Sequence, residues 1–169
     1  HLAEGDAAAG LDDIRSALAR LAADDRWYRI TALLALGHAQ LRTGASARAS
    51  FEAALEGAGS DAGMRAEAFE GLIRVALADG DPAQAVVHAQ GLLDALAAPE
   101  PGDVTERPGQ LRAVADALAA AGDAQAARWR DQAREELLAQ AACISDPAAR
   151  ARFLAQGAEH RVCPADQGD

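Results

Sequence analysis

One short phrase recurs along this chain and limits what it can fold into. Gly5-Asp6-Ala7-Ala8-Ala9-Gly10 returns as Gly80-Asp81-Pro82-Ala83-Gln84-Ala85 and as Gly122-Asp123-Ala124-Gln125-Ala126-Ala127. Gly44-Ala45-Ser46-Ala47-Arg48-Ala49 is a weaker copy between the first two. The leading glycines stand 39, 36 and 42 positions apart, a spacing typical of helical repeats that stack into a solenoid. Glycine ends a helix well because it enters the left-handed region at no steric cost. The aspartate after it caps the next helix by accepting from an otherwise unpaired N–H. Asp81-Pro82-Ala83-Gln84 is the fullest instance, with a capping aspartate, proline at the first helical position and glutamine at the third. Each phrase therefore reads as the corner of a helical hairpin. The corner at Gly44 is shortened or shifted by about two residues relative to the others.

Apolar spacing around the corners has the helical period. Trp27, Ile30, Leu34, Leu36 and Leu41 precede Gly44, and Leu11, Ile14, Leu18 and Leu21 form a stripe after Gly5. The pattern predicts helices over 6–22, 25–43, 46–57, 62–79, 82–97, 108–121, 124–143 and 147–157. The fold class is all-α, a right-handed α-α superhelix of about seven to eight helices. Residues 1–161 form one repeat domain, with the loop Ala98-Pro99-Glu100-Pro101-Gly102-Asp103 inside it and a polar tail over 162–169.

Composition points the same way and narrows function. Of 169 residues, half are hydrophobic but only 4% aromatic, so alanine and leucine, both strong helix formers, carry the apolar weight. The net charge of −10 argues against a nucleic-acid partner, because duplex binding requires a basic surface. No apolar run is long enough to span a membrane. All 16 basic side chains are arginine, and the absence of lysine and asparagine suits a GC-rich bacterial genome. Cys143 and Cys163 have no metal-type spacing and suggest a reducing compartment, so a cytoplasmic location is expected.

The two-helix unit with a glycine corner resembles the tetratricopeptide (TPR) repeat over residues 5–140. Leu36-Gly37 is similar to the Leu-Gly of its first helix, and Phe69 and Leu72 fall where its aromatic and following leucine stand. Ala85 and Ala127 match the small residue of the second helix, and Ala17 and Ala54 its later alanine. Gly5-Asp6 leaves only His1 to Glu4 of a preceding helix, so the chain reads as a piece of a longer protein. The segment Ile144-Ser145-Asp146-Pro147 through Arg150, Phe153-Leu154 and Glu159-His160-Arg161 resembles the segment closing TPR arrays in large bacterial signalling ATPases and transcriptional regulators. There Gly157-Ala158 stands in place of Val-Pro. Locally it reads as a helix capped by Asp146 and ended by Gly157.

The resemblance implies a non-catalytic module that binds a protein or peptide on the concave face of its first helices. Mapped from the corners, that face takes Thr31, Leu34, His38, Leu41 and Arg42, then Glu67, Glu70, Arg74 and Leu77, then Arg112 and Asp116. Arg42, Arg74 and Arg112 are placed to hold carboxylates of the partner. A chain with neither lysine nor asparagine lacks the residues of the clamp by which chaperone-binding TPR domains hold C-terminal carboxylates. No catalytic, metal or cofactor site is expected. His38, His88 and His160 lack ligand spacing, and Gly57, Gly59 and Gly63 precede no Gly-Lys-Ser/Thr. His88 reads as packed or half-exposed, and Cys143 as a buried thiol. Trp27 and Trp129 read as fillers between helices rather than interface anchors. An apolar face around Leu11, Ile14 and Leu18 offers a second reading, pairing with another copy as a homodimer.

Overall fold

The computed structural model describes residues 4–22, 25–98 and 106–159. Among them are eight α-helices: α1 (Glu4–Arg20), α2 (Arg26–Thr43), α3 (Arg48–Ala58), α4 (Ala62–Ala78), α5 (Pro82–Leu96), α6 (Arg107–Ala120), α7 (Ala126–Ala142) and α8 (Pro147–Glu159). The described residues form no strand. Residues 99–105 of the proline-glycine loop and the 162–169 tail lie outside the described residues.

Three corners share one backbone solution. Gly44, Gly80 and Gly122 have φ of 69°, 72° and 73°. At each corner the next residue's N–H reaches five residues back, Ala45 to Gln40, Asp81 to Ala76 and Asp123 to Leu118, all at 2.9 Å. The glycine N–H reaches three back, to Leu41, Leu77 and Ala119. This pair of bonds satisfies carbonyls the helix leaves unpaired, and the positive φ it needs favours glycine.

Beyond the glycine, the three corners diverge. The Asp81 carboxylate accepts from Gln84 N at 2.9 Å, as expected of a cap. The Gln84 side chain does not return the bond, because the Asp81 N–H is already given to Ala76; it turns to His88 at 3.1 Å instead. Asp123 accepts from Gln125 N, and α7 starts only at Ala126. That extra turn shifts the register, so Ala126 is buried and Ala127, the expected small contact, is exposed. After Gly44 the corner is shifted by two residues, one of the two expected alternatives, and it is not shortened: α3 begins at Arg48, four residues on, whereas α5 begins two residues after Gly80.

Two glycines expected at helix ends lie inside helices. Gly5, with Asp6, falls in the first turn of α1, and Gly157 falls within α8, which runs on to Glu159. A helical glycine costs about 1 kcal/mol relative to alanine, little enough for a helix to continue through it. At the start of α8, Asp146 accepts from Ala148 and Ala149 N–H as expected, and Arg150 reaches back to the Ile144 carbonyl with Nε and Nη2 at 3.0 and 2.6 Å.

Consecutive helices pack antiparallel across these corners, and each hairpin packs on the next. Beyond sequential neighbours, α2 touches α4 and α4 touches α6. Three apolar clusters run along the chain. Leu11 of α1 meets Leu36 and Ala39 of α2; Ile30, Leu34, Phe51 and Leu72 join α2, α3 and α4; Ile73, Leu92 and Val114 join α4, α5 and α6. Phe51 is fully buried, its ring lying against Gly37 of α2 and Gly71 of α4. The Leu-Gly pair of α2 is thus a space-saving device, since hydrogen in place of a side chain lets an aromatic ring enter. Phe69 uses Gly91 in the same manner. Ile14 and Leu18, expected on an open face, pack half-buried against the α1–α2 cluster.

Three side chains test the expected burial. Trp129 is half-buried against the α4–α6 cluster, as a filler should be, but Trp27 is 58% exposed. Trp27 shares the helical stripe of Leu34, so periodicity does not separate them. The ring sits in the first turn of α2, outside the buried contacts centred on Ile30 and Leu34. Cys143 is exposed at the end of α7, its thiol donating to the Ala139 carbonyl at 3.6 Å. The adjacent Leu137 and Leu138 point about 100° apart on the helix. Leu138 is itself exposed, so this end of α7 is no apolar surround for a thiol.

Candidate functional face of α2, α4 and α6

The side-by-side contact of α2, α4 and α6 carries a line of charged groups across three helices. His38 of α2 meets Glu67 of α4, Nε2 to Oε1 at 3.1 Å, and its ring packs edge-on against Phe51 at 5.1 Å between centroids. One helical turn along α4, Glu70 pairs with Arg74. On α6, Arg112 Nε stands 3.5 Å from Asp116 Oδ2, an ion-pair distance at which no hydrogen bond forms. Glu67, Glu70 and Arg74 are separated by three and four residues, which puts them on one face of α4.

Glu70 is the unusual member. It is a carboxylate with 7% exposure in a helix otherwise packed with alanine, leucine and isoleucine. Burial pushes its carboxyl above the ordinary value, against the pull of Arg74 and His38, and nearby Glu106 and Glu67 add to the rise. A buried carboxylate persists when a charged partner satisfies it, which is the role of Arg74. Buried Gln110 lies on α6, the helix packed beside α4.

The expected binding residues therefore divide. Leu34 is buried, and Leu41 and Leu77 pack half-buried against the apolar clusters, so these three support the face from beneath. Arg74 and Arg112 already hold carboxylates of their own chain. Arg42, exposed in the last turn of α2, forms no ion pair among the described residues. Thr31 is exposed on the same helix, its hydroxyl donating to the Trp27 carbonyl.

Sequence reading missed the influence of Glu106 on Glu70 and the burial of Gln110, because both depend on how α6 lies along α4. It also missed the exposed aromatic pair Trp27 and Tyr28, whose rings meet edge to face at 5.2 Å. For Tyr28 the available signal was its place off the apolar stripe, one residue from Trp27 and so about 100° round the helix.

Other polar groups stitch hairpins together away from this face. Arg48 bridges to Asp79 at 3.0 Å, and Arg107 holds both Glu136 and the Leu96 carbonyl. His88 is half-buried beside Gln84 and Phe69, as expected, and burial lowers its tendency to protonate. Among the described residues, no group of three or more His, Cys, Asp or Glu is placed to hold a metal ion, and no helix is long and apolar enough to cross a membrane. No protein-family model, curated protein or solved structure matches the chain.

Proposed function

We propose that the hairpins form a right-handed TPR-like superhelix and that it acts as a non-catalytic protein- or peptide-binding scaffold. The α2–α4–α6 face is its concave surface. The observation that carries this reading is the second tier of contacts: α2 touches α4 and α4 touches α6, in addition to sequential packing. Stacked hairpins whose first helices line one curve would produce such a tier. The glycine corners and the rings of Phe51 and Phe69 seated on glycines supply the close packing this needs.

A partner segment lies across α2, α4 and α6, and Arg42, which has no ion pair among the described residues, takes a carboxylate of it. The internally paired charges of α4 and α6 give the face a fixed polar pattern. In the parent protein, a bacterial signalling or transcriptional regulator of the cytoplasm, this module senses or recruits a partner for other domains. The likeness of the Ile144–Arg161 segment to the ends of such arrays supports that context.

A photo-crosslinking side chain at Thr31 or Ala78 on the proposed inner face, and at Ala53 or Gln90 on α3 and α5, tests the assignment in the native host. Adducts from the first two positions alone are expected. Adducts from the second pair alone would remove this face from consideration. A second copy of the chain as the trapped species, with doubled mass in sedimentation, selects self-association instead.

A further inference from the structure

The exposed side of α2 brings together two kinds of group that the rest of the fold leaves unused. At one end stand Trp27 and Tyr28, 58% and 61% exposed. At the other stands Arg42, exposed and without an ion pair among the described residues, unlike Arg74 and Arg112 of the neighbouring helices α4 and α6, which are engaged by carboxylates. At about 100° per residue, Trp27, Thr31, His38 and Arg42 fall within roughly 60° of helix surface. They form one strip.

The aromatic end is held in place by its neighbours. Arg26 Nε donates to the Gly57 carbonyl at 2.7 Å, tying the first turn of α2 to α3, and Arg29 reaches the Leu21 carbonyl. The rings of Trp27 and Tyr28 support each other edge to face. A large apolar surface presented at low conformational cost is what an interface anchor requires. Between the two ends the strip carries exposed Thr31, with exposed Ala35 about 20° beyond its edge, both small enough for a backbone to approach.

Resting on the proposed binding face, we infer that this strip recognises an extended protein segment bearing an apolar anchor and, six or seven residues away, a carboxylate. The separation comes from geometry. Fifteen residues of helix at about 1.5 Å each set Trp27 and Arg42 about 22 Å apart. An extended chain covers that in six or seven residues at about 3.3 Å each. Charge selects the partner's sign: Arg42 is the cation of this strip without an ion pair among the described residues, and its planar guanidinium takes a carboxylate in two parallel hydrogen bonds. The chain's net charge of −10 disfavours a polyanion spread over the whole surface, so the acidic group is a local feature of a peptide.

The test uses fluorescein-labelled decapeptides in a glycine-serine background, each with one phenylalanine and one aspartate at separations of three to nine residues. Anisotropy is read against the whole chain. Affinity is expected to peak at a separation of six or seven. It should fall at least tenfold in Trp27→Ala, in Arg42→Ala, and when lysine replaces the aspartate. Both altered side chains are exposed, and unchanged thermal melts would show that the variants remain folded. Binding that ignores the separation, or that survives both substitutions, overturns the inference while leaving the broader face intact. No binding by any peptide also overturns it, and the crosslinking result, which presumes no ligand chemistry, then judges the broader reading alone.

Discussion

The ring of Phe51 occupies the space that a side chain on Gly71 would need: a Cβ built there would overlap the ring edge. Gly37 faces the same ring from α2, with the corresponding contact at 2.7 Å. One aromatic side chain of α3 is thus gripped by two glycines on the helices either side of it. Gly71→Ala is expected to destabilise the fold by about 1–3 kcal/mol through overpacking, read as a lower urea midpoint. Gly109 of α6 has open space around it, so Gly109→Ala should be neutral or stabilise by up to about 1 kcal/mol through helix propensity. Equal effects at the two positions would contradict this packing.

The corners respond to a different substitution. Gly80 and Gly122 have open space for a side chain but φ values of 72° and 73°, so alanine there is opposed by backbone strain alone. Each change should cost roughly 1–2 kcal/mol. Asp81→Ala should cost about 1 kcal/mol through loss of the bond to Gln84 N–H. Ser46→Ala should cost little, because Ala47 is the residue that precedes α3 and no side chain caps that helix. Urea midpoints of the four variants check the ranking.

Glu70 makes stability depend on pH in a direction opposite to that of an ordinary ion-paired carboxylate. Its folded-state carboxyl titrates above the unfolded value, so in the interval between the two the folded chain holds the extra proton. Stability from this group is therefore greatest below the ordinary carboxylate range and falls as pH rises through the folded value. Urea unfolding of the chain and of Glu70→Gln from pH 4 to pH 8 isolates the effect from other carboxylates. The stability difference should move in favour of Glu70→Gln with rising pH. A difference that stays constant, or moves the other way, would show that burial does not govern this group.

Removing Arg74 tests the same pair from the other side. Arg74→Ala leaves Glu70 buried without its cation and should destabilise the fold at neutral pH. Arg74→Ala with Glu70→Gln should recover much of that loss, since no buried charge then remains. A double mutant as unstable as Arg74→Ala would mean that the arginine acts through its aliphatic packing instead.

Several features are legible without coordinates because they are local. The positive φ at Gly44, Gly80 and Gly122 arises from what must end a helix and turn the chain. Asp81, Pro82 and Asp146 announce helix starts through bonds that span only a few residues. The helical period places Leu72, Ile73 and Val114 in segments with buried sides, and all three are fully or almost fully buried. Trp27 and Cys143 escape local reasoning for the converse reason. An apolar period or an apolar neighbour says that a helix has a buried side, not how far along its length a neighbouring helix covers it.

The chain's repeating glycines and alanine-leucine stripes determined that it forms helices, where they turn and which residues end them, since such effects act within one or two turns of backbone. Tertiary structure alone decided that His38 would meet Glu67, that Glu70 would be buried and that Arg42 would find no carboxylate among the described residues. Those outcomes depend on the lateral placement of α2, α4 and α6 against one another. That placement is set by how a ring such as Phe51 fills the gap between distant glycines, and no short stretch of sequence encodes it.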